Sequence, residues 1–262
     1  MIHNFINAVQ FLTIFTVRKK HELNEGDLAR SMVYFPLIGF LIGFLLINMD
    51  KALLWVLPPT IANALLVVVL VLITRALHVD GLADTLDGIM GGRDPQSRLA
   101  IMKDSRLGTA GAIGILFALL LKYLCFNNLF ESEKVAALLT APMLARWSQT
   151  LMVFGAEYGR ENGMGKAFVG HLRAGSLAAT SAVTIALSAF VVVRMDFVGV
   201  TMDVHSVMLF FSLLIGVICL TFIAKRYLVS RLGGVTGDAI GAVSELNELL
   251  VLLLFVVFSS GN

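Results

Sequence analysis

Residues 78–108 read HVDGLADTLDGIMGGRDPQSRLAIMKDSRLG, a charged island in a chain otherwise apolar enough to sit in lipid. It holds Asp80, Asp84, Asp87, Asp94 and Asp104 together with Arg93, Arg98, Lys103 and Arg106. If 80–87 is helical, Asp80, Asp84 and Asp87 follow i, i+4, i+7 spacing and share one face. Three carboxylates so placed repel one another strongly wherever the surroundings are drier than water. A divalent cation relieves that repulsion, and all-oxygen ligation suits Mg²⁺ or Mn²⁺. The plainer alternative is a helix N-terminus whose dipole tolerates acids. One acid in the first turn would satisfy a dipole, and here three align.

Outward from this island the chain changes character. Of 262 residues, 58% are apolar and 15% charged, with a mean hydropathy of +0.86. Soluble proteins carry about a quarter charged residues, so the deficit points to the membrane. The formal net charge of +2 says little until it is distributed by position, and no nucleic-acid partner is expected. Cys125 and Cys219 stand in apolar runs without CxxC or Cys/His spacing, and read as buried thiols. Residues 1–17 lack the basic start and small-residue cleavage site of a secretory signal.

In chain order, residues 2–17 place Ile2, Phe5, Ile6, Val9, Leu12 and Phe15 at helical spacing with Asn4, Asn7 and Gln10 between them. That is too short and polar to span, and predicts an amphipathic helix in the interface. A charged linker, 18–30, precedes the first spanning run at 31–49. Further spans are expected near 60–77, 109–126, 135–154, 175–193, 206–223 and 236–258. The expectation is one all-α, polytopic membrane domain over 1–262, with about seven transmembrane helices. The side bearing 18–30, 78–108, 155–174 and 224–235 carries Arg18, Lys19, Lys20, Arg30, Arg93, Arg98, Lys103, Arg106, Arg160, Lys166, Arg173, Lys225, Arg226 and Arg231. The other carries only Lys51, Lys122, Lys134 and Arg194, so the first side, with the aspartate segment, is predicted cytoplasmic.

The last predicted span, GGVTGDAIGAVSELNELL, aligns Asp238, Glu245 and Glu248. Carboxylates inside a spanning helix face a bundle interior or a wet cavity. Internal pairing, with Arg146 for instance, is the bland reading. Asp238 lies beside Gly233, Gly234 and Gly237, which either let a backbone approach a ligand or simply form the helix entry turn. Asp238 is taken as catalytic; Glu245 and Glu248 are left open between site and scaffold. In MKDSRLG, 102–108, Asp104 is a candidate to complete the metal site and Arg106 to grip phosphate. Arg75 and Arg146, inside predicted spans, need either an acid or a substrate phosphate. The loop 157–171, with Lys166, is Gly-rich and basic as a phosphate lid would be, and equally as any flexible loop would be. His78 and His171 read as structural or supporting. Metal and arginines at a membrane surface suit transfer of a phosphorylated group out of a diphosphate, with an aspartate taking the incoming hydroxyl's proton.

At D-G-L-A-D-T-L-D-G (80–88), M-K-D-S-R-L-G (102–108) and G-G-V-T-G-D-A-I-G-A (233–242), the chain resembles the cobalamin synthase family, the adenosylcobinamide-GDP ribazoletransferases. Y-G-R-E-N-G-M-G-K-A-F (158–168) and F-L-T (11–13) resemble it too, so the likeness covers nearly the whole length. The family often has a proline shortly after F-L-T, where this chain has Ile14 to Val17, and Arg75-Ala76 replaces smaller residues. The resemblance implies a bacterial inner-membrane enzyme in which α-ribazole or its 5′-phosphate displaces GMP from adenosylcobinamide-GDP. The residues themselves supply the candidates for Mg²⁺ (or Mn²⁺), Asp80, Asp84, Asp87 and Asp104, and for substrate phosphate, Arg75, Arg106, Arg146 and Lys166; the oligomeric state is left open. The logic is similar to that of CDP-alcohol phosphotransferases, except that Asp84 stands where those have arginine. An enzyme of that kind on another nucleotide diphosphate is one alternative. An ion-coupled transporter using Asp238, Glu245 and Glu248 is another, and a prenyltransferase would want paired aspartate-rich motifs that this chain lacks.

Overall fold

Apolar runs of some twenty residues satisfy their backbone groups in lipid only by coiling into helix. The computed structural model describes residues 2–17, 25–194 and 204–259. The basic residues Arg18, Lys19 and Lys20 of the linker, and residues 260–262, lie outside the described residues. The described residues form α1 (Ile2–Leu12), α2 (Glu25–Ser31), α3 (Phe35–Leu54), α4 (Pro59–Ile73), α5 (Leu77–Gly91) and α6 (Pro95–Ile101). They continue as α7 (Thr109–Asn127), α8 (Glu131–Val153), α9 (Ala174–Arg194), α10 (Val204–Leu232) and α11 (Gly237–Ser259). Among the described residues there is also an isolated parallel bridge between Tyr158 and Val235. The all-α polytopic bundle is thus as expected.

The helices long and apolar enough to cross a membrane number five or six among the described residues, against seven expected spans. Among the described residues five are long and apolar enough: Gly26–Leu54, which runs through α2 and α3, then α7, α9, α10 and α11. A sixth exists only if α4 and α5, bent by 85° at their junction, count together. The remaining expected span, α8, is 23 residues long but carries Arg146, Ser148, Gln149 and Thr150, all buried. It packs most extensively against α3 and α11, with α9 and α10 also against it. Its polar groups meet protein, so this expected span runs through the interior of the bundle. Cys219 likewise departs from expectation: it is exposed, on the outer face of α10, whereas Cys125 is buried.

Two glycines on α3 set the tightest packing. A Cβ at Gly39 would strike the Pro142 carbonyl and one at Gly43 the Leu138 carbonyl of α8. Pro142 has no N–H, so the Leu138 carbonyl lacks its helical partner, and the Gly43 backbone fills that side. The four-residue spacing of small residues is the usual device for close helix approach in lipid.

The bundle has two chemically distinct ends. At one, Lys134 of α8 donates to Asp50 of α3 and Asn63 of α4, both at 2.6 Å, and Asn63 donates to Asn127 at the end of α7 at 3.2 Å. Ser259 of α11 donates to Glu133 at the same end, at 2.6 Å. At the other end lie α1, the α4–α5 junction, the 157–168 loop and the start of α11.

The α4–α5 break also corrects the predicted second span, which ends at Ile73. Arg75 and Ala76 adopt left-handed backbone (φ 53° and 55°), a conformation costing an L-residue about 1–2 kcal/mol each. The end of α1 holds it. Ile14 donates to the Ile73 carbonyl at 2.8 Å, and Arg75 Nη2 donates to the Gln10 and Thr13 carbonyls at 3.2 and 2.8 Å. The N-terminal helix, expected to run to residue 17 in the interface, instead stops at Leu12 and packs on α2 and α3.

Candidate active site

The 80–88 and 233–242 blocks meet where α5 crosses α11. A Cβ on Gly81 would lie 2.8 Å from the Asp238 carbonyl oxygen, and one on Gly241 3.4 Å from the His78 Cα. The approach is backbone to backbone and sets Asp80 beside Asp238. Local signals place Asp238: Gly233, at φ 77°, ends α10, and the Thr236 hydroxyl caps α11 by accepting from Ala239 N–H at 3.1 Å. Asp238 therefore sits in the first turn of α11, where the helix dipole favours an anion.

The 157–168 loop closes over this crossing. Gly159 N–H donates to the Val235 carbonyl and Val235 N–H to the Glu157 carbonyl, both at 2.9 Å. Glycine faces glycine, Gly159 on Gly234 and Gly165 on Gly237, with no room for a Cβ at Gly159 or Gly234. The loop thereby delivers Arg160, whose Nη2 lies 2.7 Å from Asp238 Oδ2. The two charges are close but misaligned, and neither atom completes a hydrogen bond although both are buried.

Between these elements is a cavity of about 190 Å³. Its polar wall is His78, Asp80, Gln149, Tyr158, Arg160 and Asp238; its apolar wall is Phe11, Met32, Phe35, Leu77, Phe168 and Ile240. Burial pushes the Tyr158 hydroxyl above its ordinary pKa, and the Asp238 charge adds to that. Behind the cavity Asp84 feels the charges of Asp80, Asp238 and Asp87, with Arg160 opposing them. The aspartates of two motif blocks thus form one acidic centre. Among the described residues, no three carboxylates, imidazoles or thiols already converge closely enough to hold an ion.

The other expected site residues have separate partners. Asp87 accepts from the N–H groups of Gly108 and Gly111, each at 2.8 Å, and so caps α7, whose own N-cap is a glycine. Asp104 is bound to Arg106 at 2.5 Å on the surface, which holds its carboxyl down to about 2. Asp94 caps α6 through Ser97. Arg75 is committed to the α1 carbonyls and Lys166 donates to the Glu161 carbonyl at 2.8 Å. Arg146 is buried, paired with Glu248 and 3.3 Å from His78 Nδ1.

Glu245 and Glu248 resolve toward the bland reading. Lys122 of α7 binds both, at 2.5 and 2.7 Å, and Arg146 takes the other oxygen of Glu248. Two cations and two anions form a closed, fully buried set, which leaves no free carboxylate for an ion path. It reaches the cavity through His78 and Gln149, whose Nε2 atoms lie 2.7 Å apart, and Gln149 donates to Ser244 at 2.9 Å.

Sequence reasoning did not single out Arg160, Tyr158 or Gln149. Arg160 stood in a loop left open between a phosphate lid and an ordinary flexible segment, and nothing in its spacing ranked it above Lys166. Gln149 sits one helical turn from Arg146 on α8, a spacing that marks a shared face once α8 is known to be interior.

A family model for CobS, cobalamin-5-phosphate synthase, matches residues 4–256. A protein of Geotalea daltonii named adenosylcobinamide-GDP ribazoletransferase is 40% identical over 258 residues, covering 98% of each chain. Namesakes from Clostridioides difficile and Clostridium botulinum are 35% and 30% identical, over 97% and 98% of this chain and 99% and 98% of their own. No solved structure matches. With residues of the 80–88, 158–168 and 233–242 blocks around one cavity and likeness along nearly its whole length, the chain belongs to the cobalamin-5-phosphate synthase family.

Proposed function

We propose that the protein joins ribazole to a cobinamide through a phosphodiester, using adenosylcobinamide-GDP as donor and releasing GMP. One observation carries the reading. Asp80 and Asp238, from two motif blocks, and Arg160, from a third, face a single cavity. A ribose hydroxyl of α-ribazole, or of its 5′-phosphate, attacks the phosphorus that bears the cobinamide. The bond from that phosphorus to the bridging oxygen breaks, and GMP leaves with the electron pair. Asp238 takes the hydroxyl proton. Arg160 turns from Asp238 to a phosphate oxygen, a bidentate partner that guanidinium suits.

A divalent cation fits the acidic centre. Asp80, Asp84 and Asp238 offer only oxygen, and Arg160 opposes the negative charges around Asp84, a donor set suited to Mg²⁺ or Mn²⁺. When bound, the cation would neutralise the diphosphate and stabilise the departing GMP. Asp87 and Asp104, with partners of their own, are assigned to support. The enzyme works in the bacterial inner membrane with this end of the bundle in the cytoplasm, in keeping with the basic residues there.

Purified full-length protein in detergent, given adenosylcobinamide-GDP, α-ribazole and Mg²⁺, should form the phosphodiester and GMP in equal amounts. Guanosine diphosphate as the released product, or no turnover by well-folded protein, would overturn the assignment.

A further inference from the structure

The division of the cavity into a wet and a dry wall bears on which substrate enters it. The dry wall is built from three rings in mutual contact. Phe11 and Phe35 lie nearly parallel (11°) with centroids 5.8 Å apart, and Phe168 meets them edge-on at 4.9 and 5.6 Å. Met32, Leu77 and Ile240 complete it. These six side chains bring no nitrogen or oxygen to the surface they present.

The donor's guanine and the acceptor's base are both flat, and the wall discriminates between them. Guanine carries donors at N1 and N2 and acceptors at O6 and N7, and against this wall those groups would be buried without partners. The dimethylbenzimidazole of ribazole, once joined to ribose, has one unsubstituted ring nitrogen and two methyl groups. It loses almost no hydrogen bonding there and gains apolar contact with the aromatic cluster. Size points the same way: drug-sized ligands occupy about 300–1,000 Å³. A space of about 190 Å³ takes a base with part of its sugar and excludes a corrinoid.

We infer that this cavity is the ribazole subsite, with the base against Phe11, Phe35 and Phe168 and the ribose turned toward Asp238 and Arg160. The inference rests on the proposed reaction and adds where the acceptor sits and why a purine nucleoside does not replace it. Selectivity then comes from withheld hydrogen bonds, a rejection by unpaired polar groups. The guanine base lies outside the apolar part of the cavity, with its phosphates toward the acidic centre on the polar wall.

The test is direct binding, independent of turnover. Full-length protein in detergent is titrated by calorimetry with α-ribazole, with guanosine, and with guanosine diphosphate plus Mg²⁺. Wild type should bind α-ribazole and not guanosine. Phe168→Ala should weaken α-ribazole by about 5- to 150-fold, the range of one base–aromatic stack, and leave guanosine diphosphate within about two-fold. Phe11→Ala, at a half-buried position on α1, should do the same and serves if Phe168→Ala does not fold. Unchanged α-ribazole affinity in a folded variant, or equal loss of guanosine diphosphate binding, would overturn the subsite. The two readings fail separately. Ribazole binding lost with the phenylalanines but no turnover by wild type refutes the reaction; turnover with ribazole affinity indifferent to them refutes the subsite alone.

Discussion

Gly81 and Asp238 meet backbone to backbone: a Cβ on the glycine would stand 2.8 Å from the aspartate's carbonyl oxygen. Carbonyl oxygens do not swing aside as side chains do, so Gly81→Ala must push α5 from α11. Overpacking of this kind costs about 1–3 kcal/mol, and it separates Asp80 from Asp238. The variant should melt at a lower temperature in detergent and lose most of its turnover. Gly241→Ala, whose nearest neighbour would be at 3.4 Å, should keep most of both. Equal behaviour of the two variants would mean that the crossing does not set the site.

Arg160 is expected to act on the diphosphate and not on folding. Removing one well-placed electrostatic donor from a reacting site costs about 10²- to 10³-fold in rate. Arg160→Ala should fall in that range, and Arg160→Lys should recover only part, since lysine lacks the planar fork. The ion pair with Asp238 is partly exposed, so its loss should shift the melting temperature little. Steady-state kinetics beside a melting curve checks both halves; a variant that unfolds but turns over normally when cold would refute the role.

The aspartates of α5 should separate into two classes. Asp84 lies among the negative charges of Asp80, Asp238 and Asp87, as a cation ligand would. Asp84→Asn should nearly abolish turnover while folding normally, and excess EDTA should do the same to wild type. Asp87 accepts two N–H groups of α7, and Asp87→Ala should cost about 0.5–2 kcal/mol, as caps do, with turnover reduced less. Melting curves with and without Mg²⁺ distinguish them: the cation should raise the midpoint of wild type and Asp87→Ala, and not of Asp84→Asn.

How much of this was readable in the residues depends on the type of signal. The i, i+4, i+7 aspartates and the G-G-V-T-G-D turn are local patterns, and both lie where their spacing puts them. What Asp87 does was hidden, because its partner is the bare N-terminus of a helix starting some twenty residues later, after a glycine cap. The α4–α5 bend was hidden for a related reason. Arg75-Ala76 has neither glycine nor proline, and the left-handed turn is maintained by carbonyls of α1 far away in sequence. Hydropathy also left the interior place of α8 hidden, since a helix wrapped by protein on every side can carry Arg146 and Gln149 at no cost in lipid exposure.

The buried set of Lys122, Glu245, Glu248 and Arg146 should be intolerant of one-sided change. Glu248 serves both cations, so Glu248→Gln leaves two positive groups facing one carboxylate. Breaking a buried pair from one side costs about 3–5 kcal/mol, and the variant should be recovered poorly from membranes. Changing Lys122 to Met together with Glu245 to Gln removes one charge of each sign and should be milder. Recovery and melting temperature of the two proteins provide the comparison; a stable Glu248→Gln with a fragile double variant would contradict the charge balance.

The ends of the bundle should lie on opposite sides of the membrane. Helices α8 and α11 run antiparallel, with Arg146 on Glu248 midway and Ser259 on Glu133 at the end away from the cavity. The chain therefore finishes opposite Asp238 and Arg160. Among the described residues, the cavity end also collects the segments that carry Arg30, Arg93, Arg98, Lys103, Arg106, Arg160, Lys166, Arg173, Lys225, Arg226 and Arg231. Short loops so enriched stay in the cytoplasm, which puts the C-terminus in the periplasm. A phosphatase fused after Asn262 should be active and a fluorescent protein dark, while fusions within 160–170 should show the opposite. If the C-terminal fluorescent fusion is bright, either the orientation is inverted or the α4–α5 pair does not cross. A cysteine placed in the 55–58 turn and probed with a membrane-impermeant thiol reagent separates these. Labelling from outside means that the first crossing is in place and the count fails later, whereas labelling only after lysis means that the whole bundle is reversed.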